Sequence, residues 1–200
     1  MTDQLEPTAE NVARCAAILR DGGLVAFPTD TVYGVGISWT RRDRIEALFA
    51  LKRRPPEKRI PVLVTGLSQA EQVGARIDDR ARRLADRWWP GALTMVLPTV
   101  DGDTIAVRAP DHAVALALID AAGPLLATSA NVSGEPDTLG GDEVLIAFAT
   151  EQDDLAAVLD DGAVAGGSPS TVVDLSVTPA RVLRPGPVSR EALAEDAELD

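Results

Sequence analysis

The sequence predicts an α/β layered domain. Short apolar runs bounded by Gly, Pro and polar turns alternate with longer segments of helical apolar spacing, and strands alternating with helices pack as layers. The chain has 200 residues, which suits one domain or one with a small appendage, and 46% of them are hydrophobic, enough to fill a core. Three of the strand-like runs end in loops rich in hydroxyls, at 28–36, 128–134 and 166–171.

The elements follow in order. Thr8 to Arg20 reads as a helix closed by the Gly22-Gly23 pair. Leu24 to Phe27 is a short buried strand that runs into "PTDTVYGVG", a loop with no Lys, His or Cys, in which Asp30 reads as a turn cap. Thr40-Arg41-Arg42-Asp43 resembles a capping box opening a helix with the apolar face Ile45, Leu48 and Phe49, and Pro55-Pro56 ends it. Pro61 to Val64 is a strand, and Ser68 to Arg87 is helical in one or two pieces. Trp88-Trp89-Pro90-Gly91 turns the chain into strand Leu93 to Leu97, and Thr104 to Val107 is another strand. Asp111 to Ala121 is a helix, and Leu125 to Ala127 a strand entering "TSANVSG". Helices over Asp142 to Phe148 and Asp154 to Leu159 follow, then strands Thr171 to Leu175 and Arg181 to Leu183. From Arg190 a short helix frays into an acidic tail.

Composition excludes several chemistries. One cysteine, Cys15, rules out an internal disulfide and a Cys-based zinc site, and its helical apolar surroundings make it a core residue. The single His112 precedes a helix and reads as a capping or surface residue, so a histidine-cluster metal site is excluded and a Cys–His nucleophilic pair has little support. The formal charge of −12 opposes general nucleic-acid or membrane affinity. The N-terminus has no signal-peptide pattern, and the longest apolar run, Ala113 to Ile119, is too short to span a bilayer, so the expected location is the cytoplasm.

Charge is concentrated in one stretch. Residues 41–59 hold eight basic and three acidic side chains, a local +5 against −17 for the rest. Of nineteen basic residues only two are lysines, Lys52 and Lys58, and both lie here. A lysine is a compact charge suited to phosphate oxygens, so the stretch reads either as a pocket for a small anion or as a solvated helix end. The hydroxyl loops, with Arg108 and Arg184 at strand ends, favour a pocket, because ligands of α/β sheets sit beyond the carboxyl ends of strands. Neither a GxxxxGK[ST] nor a GxGxxG motif is present to carry a phosphate.

Seven segments occur in an order that is specific: "FPTDTVYGVG", "ALKRRPPEK", "WWPGALTMVLP", "IAVRAPDH", "LLATSANVSGEP", "STVVDL" and "VLRPGPV". Together, over about Gly22 to Val188, they resemble the YrdC/Sua5 family, the L-threonylcarbamoyladenylate synthases of tRNA modification. The resemblance implies an open, twisted mixed sheet flanked by helices around a basic cavity, in the short form with a single YrdC-like domain. It implies condensation of L-threonine, bicarbonate or CO₂ and ATP to threonylcarbamoyl-AMP and pyrophosphate. The product is expected to pass to a tRNA threonylcarbamoyl-transferase complex, with direct tRNA binding left open and no membrane partner. Thr31, Arg108, Ala127, Ser129 and Ser170 are implied to hold threonine. Arg54, Lys58, Thr104, Ser129, Asn131 and Arg184 are implied to hold ATP, with Lys52, Arg54 and Lys58 as the catalytic cations. The implied reaction needs no nucleophilic side chain, and Mg²⁺ is expected on the triphosphate rather than in a protein cage. Two positions depart from the pattern: Arg59 stands where proline is common, and Leu63 where some members carry histidine.

Three other readings stay in view. An RNA-binding module is opposed by the net charge and by the absence of interleaved aromatic and basic residues. A related enzyme handling another amino acid or carbamoyl phosphate would keep the fold and change the substrate. A catalytically silent homologue is opposed by the filled charged positions.

Overall fold

The computed structural model describes residues 2–53, 55, 59–150 and 155–200. In chain order the elements are β1 (Asp3–Leu5), α1 (Ala9–Arg20), β2 (Leu24–Phe27), β3 (Gly34–Ser38), a 3₁₀ turn (Trp39–Arg44), α2 (Ile45–Lys52), β4 (Val62–Leu63), α3 (Leu67–Gln72), α4 (Asp79–Trp88), β5 (Leu93–Pro98), β6 (Thr104–Arg108), α5 (Ala113–Ala122), β7 (Leu125–Ser129), α6 (Gly141–Ala147), β8 (Leu155–Leu159), β9 (Thr171–Asp174), β10 (Arg181–Arg184) and α7 (Arg190–Ala194). The ten strands form one mixed sheet in the order β1-β8-β2-β3-β7-β4-β6-β5-β9-β10. The pairs β1·β8, β2·β8, β4·β6 and β5·β9 are parallel, and the others antiparallel. No helix among the described residues is long and apolar enough to cross a membrane.

Strand alternation divides the core between the two faces of the sheet. Along β2, Leu24 and Ala26 enter one cluster, with Leu48, Leu51, Leu84, Val144 and Phe148 from the helices below. Val25 and Phe27 enter the other, with Cys15, Leu19, Leu118 and Ile119 from α1 and α5. These two helices roof only part of their face. Farther along the sheet, the same face presents Leu63, Arg108, Ala106, Val96, Thr94 and Val172, which pair across β4, β6, β5 and β9. That unroofed stretch is the wall of the main cavity.

Several local expectations hold. Thr8 caps α1, its Oγ1 accepting from Asn11 N. Cys15 is fully buried, and burial pushes its thiol up to about 11. The 68–87 region is two helices, α4 opening on Asp78, whose carboxylate accepts from Ala81 N.

Others are corrected. The expected helix over Asp154 to Leu159 is strand β8 from Leu155; Asp154 lies outside the described residues. "LAAVL" is short and apolar throughout, a pattern that does not separate a buried strand from a helix. Strand β3 went unforeseen because "GVGIS" carries two glycines. Gly36 lets the sheet close tightly: a Cβ there would sit 2.6 Å from Leu126 O. Strand β1, at one edge, was also unforeseen. The helix after the first hairpin is not opened by Thr40: Ser38 caps a 3₁₀ turn through Thr40 N, and the α-helix begins at Ile45. His112 begins α5 without a side-chain capping bond. The tail does not fray. Leu193 and Ala197 are buried, and the backbone of 198–200 bonds Ala180 in both directions.

Candidate functional site

The cavity has a volume of about 540 Å³, and its wall carries Thr31, Thr94, Thr104, Arg108, Ala127, Ser129, Ser170 and Arg184. Seven of these eight polar or small residues come from the sequence prediction, and they arrive from five separate segments of the chain: the loop after β2, β6, β7, the loop before β9 and β10. Arg59 joins Arg108 and Arg184 as a third arginine on it, and two aspartates, Asp137 and Asp174, also face it.

Arg108 is the centre of the set expected to hold threonine. It ends β6 and is 7% exposed, so its charge needs partners. Nε donates to Gly91 O at 3.0 Å, Nη1 to Thr31 Oγ1 at 3.1 Å and Nη2 to Asp30 Oδ1 at 2.6 Å. Burial draws its pKa below the ordinary value, and Asp30 opposes that pull. Three of five N–H donors are used, and two remain for a ligand. Asp30 is therefore more than a turn cap: its Oδ1 also accepts from Asp111 N, tying the first loop to the segment after β6. The Trp88–Gly91 turn earns its place through Gly91, whose carbonyl orients Arg108.

Thr31 is 3% exposed and sits in a hydroxyl cluster. Thr29 Oγ1 donates to Val32 O at 2.6 Å and lies 3.1 Å from Thr31 Oγ1. The Gly166-Gly167 loop lies directly on this segment, Gly167 N donating to Thr31 O. A Cβ on Gly166 would come within 1.7 Å of that carbonyl, so only glycine fits. Tyr33 of the same motif is on the cavity lining, but its hydroxyl is engaged elsewhere. Its hydroxyl donates to Asp160 and Gly162 O, and burial raises its pKa.

On the other wall Ser170 is held by Arg184, whose Nε and Nη2 donate to Ser170 O at 3.0 and 2.8 Å. Burial lowers the pKa of Arg184, against the attraction of Asp137. Thr104 Oγ1 accepts from Arg59, the residue that replaces proline, and Arg59 also pairs with the exposed Asp103. Leu63 lines the cavity beside Arg108, its register partner, as an apolar surface.

The predicted phosphate cations stand differently. Arg54 and Lys58 lie outside the described residues. Lys52 is 1% exposed and is not on the cavity wall. Its Nζ donates to the carbonyls of Ser129 and Asn131 and to Asn131 Oδ1. Its role in the structure is to hold the 129–131 loop, since an ammonium at that depth must meet oxygens on every side. Asn131 is likewise spent within the loop: Oδ1 accepts from Ser129 Oγ and Nδ2 donates to Glu135 O. Among its described residues the basic stretch does not converge on one pocket either. Arg41 pairs with Asp43, Arg42 lies over Trp39 and Arg44 donates to Gly22 O, so among the described residues of 41–59 Arg59 alone reaches the cavity.

Comparisons with known proteins show the family of the chain. A family model of Sua5, YciO and YrdC proteins, described as "Telomere recombination", matches residues 17–186. The chain belongs to this family. Within it, the chain is 36% identical over 205 residues to a threonylcarbamoyl-AMP synthase of Bacillus subtilis, covering 96% of this chain and 58% of that one. It is 35% identical over 204 residues to a putative threonylcarbamoyl-AMP synthase of Mycobacterium tuberculosis, covering 98% of this chain and 93% of that one. Among solved structures it is similar to P. abyssi Sua5 complexed with L-threonine, with a TM-score of 0.89 and 32% identity, over all of this chain and 62% of that one. The chain thus spans less than two thirds of the first and third of these relatives.

Sequence reasoning missed Thr29, Thr94 and the pairing role of Asp30. Thr94 carried a signal: it is the one polar residue in the strand "LTMVLP".

Proposed function

We propose that the chain is a threonylcarbamoyl-AMP synthase acting on L-threonine, bicarbonate or CO₂ and ATP. The observation that carries this reading is Arg108, buried on the cavity wall with two N–H donors unspent, bonded to Thr31 and sharing the cavity with Ser129 and Ser170. A guanidinium so held suits an amino-acid carboxylate, because its planar donors fix orientation as well as charge. Family membership and similarity to a threonine complex support the same substrate.

The chemistry proceeds in two steps, an addition and a displacement. The threonine amine adds to the carbon of CO₂ and loses a proton, giving N-carboxythreonine. A carbamate oxygen then attacks the α-phosphorus of ATP, the bond from that phosphorus to the bridging oxygen breaks, and pyrophosphate leaves. Neither step needs a side-chain nucleophile. The protein contributes by bringing three reactants together and by offsetting phosphate charge. Arg184, Thr104 and Arg59 are the cavity groups suited to the nucleotide, joined in the proposal by Arg54 and Lys58. Mg²⁺ would arrive on the triphosphate and keep most of its water, with Asp137 and Asp174 as the carboxylates facing the cavity. The adenylate is a mixed anhydride, so its consumer is a transferase that moves the threonylcarbamoyl group to tRNA. We assign both reactions to the cytoplasm.

The test is pyrophosphate release from ATP and Mg²⁺, with threonine and bicarbonate omitted in turn. Release that requires both supports the reading. Release that is indifferent to threonine contradicts it.

A further inference from the structure

Thr94 lies on β5 with its neighbours Leu93 and Met95 turned into the opposite core. It is 3% exposed and faces the cavity among apolar residues, Val96, Ala106 and Val172. Its Oγ1 lies 2.8 Å from Ser170 Oγ, itself on a residue 4% exposed. Arg184 Nη2 donates to the same Ser170 Oγ at 3.1 Å.

The hydrogen count is informative. Two hydroxyls carry two hydrogens and four lone pairs. Their mutual bond uses one of each, and Arg184 takes one more lone pair. Whichever oxygen donates to the other, one O–H donor and two lone pairs remain on the cavity wall. Buried polar groups left in this state are costly unless a partner meets them. A carboxylate would meet the donor and face the lone pairs with negative charge. An ammonium would meet the lone pairs and leave the donor unmet. A hydroxyl, donor and acceptor on a single atom, satisfies both.

We infer that Thr94 is a specificity-determining residue, which with Ser170 reads the side-chain hydroxyl of the amino-acid substrate. The inference rests on the synthase reading and adds to it the selection of a hydroxyl over a methyl group. A site that hydrogen-bonds a substrate hydroxyl rejects the analogue lacking it far more strongly than an apolar pocket rejects a missing methyl.

The experiment compares L-threonine with L-valine, in which a methyl replaces the hydroxyl, by calorimetric binding and by amino-acid-dependent pyrophosphate release. Wild type is expected to prefer threonine by on the order of 1,000-fold or more. Thr94→Val, which keeps the branched shape, should narrow that ratio by about 10-fold or more while the KM for ATP stays within about 3-fold. Thr94→Ser should restore the ratio. Thermal melting checks folding, and if Thr94→Val melts early, Thr94→Ala is read in the same way. A Thr94→Val or Thr94→Ala protein with the wild-type ratio overturns the inference, as does a Thr94→Ser protein that fails to restore it. Wild type that turns over threonine and valine equally overturns it too, and leaves the adenylate chemistry standing. Wild type that binds neither amino acid overturns the synthase reading and this inference together.

Discussion

A guanidinium at the end of β6 can be buried only if its donors are met, and here a carbonyl, a hydroxyl and a carboxylate meet three of them. The buried pair with Asp30 means that deleting either partner strands a charge, at about 3–5 kcal/mol. The informative change is therefore Arg108→Lys, which keeps the charge and loses the fork. One charge-assisted hydrogen bond is worth about 1.5–3 kcal/mol, so the KM for threonine should rise by roughly 10- to 100-fold while that for ATP stays nearly unchanged. Equal effects on both, read from steady-state kinetics, would dissociate Arg108 from the amino acid. Asp160 gives a second prediction. Burial opposes its charge, but hydrogen bonds from Gln4, Tyr33 and the Gly162 and Gly141 amides outweigh that and hold its pKa below the ordinary value. A depressed folded pKa gives stability that is complete above the unfolded value, about 3.9, and is lost as pH falls through the folded one. Asp160→Asn should melt below wild type at pH 7, and the gap should close below about pH 4. A gap constant with pH would remove the carboxylate from the account.

At the level of elements, the hydroxyl loops were legible because strand ends announce themselves: an apolar run stops, and small polar residues begin. The loop at 166–171 shows how much backbone the site demands. Gly166 lies against Thr31 O so closely that any Cβ collides with main chain. Gly166→Ala should displace the Thr31 segment, raising the KM for threonine at least about 10-fold and lowering the melting temperature by several degrees. Wild-type kinetics from that variant would mean that the two loops do not touch in solution. What stayed hidden in the sequence has physical causes. Strand β8 is buried on both faces, Leu155 and Val158 to one cluster, Ala157 and Leu159 to the other, so it never shows the period-two pattern of a half-exposed strand. The destination of Lys52 was equally invisible. A lysine beside arginines reads as a phosphate ligand, and only the fold brings the carbonyls of Ser129 and Asn131 to its ammonium.

Over the whole molecule, one sheet carries two cores and leaves part of one face open as the site. Opposite faces of the same strands are therefore coupled. Leu19→Ala on α1 and Leu48→Ala on α2, both at fully buried residues, should each cost about 2–5 kcal/mol and still give one cooperative transition in denaturant. Two separate transitions, by fluorescence and far-ultraviolet dichroism, would mean that the faces unfold independently. The charge pattern also acts at this scale: a chain at −12 turns three arginines toward a cavity of about 540 Å³, which suits small anions and disfavours long polyanions at the remaining surface. That separation underlies the proposed choice of free nucleotide and amino acid as substrates. The measurement that tests it most directly is the fate of carbon from ¹³C-bicarbonate, followed by mass spectrometry with ATP and L-threonine present. The account predicts an adenylate containing one labelled carbon and one threonine. An unlabelled threonyl adenylate, or AMP formed with no labelled adducts, would contradict it.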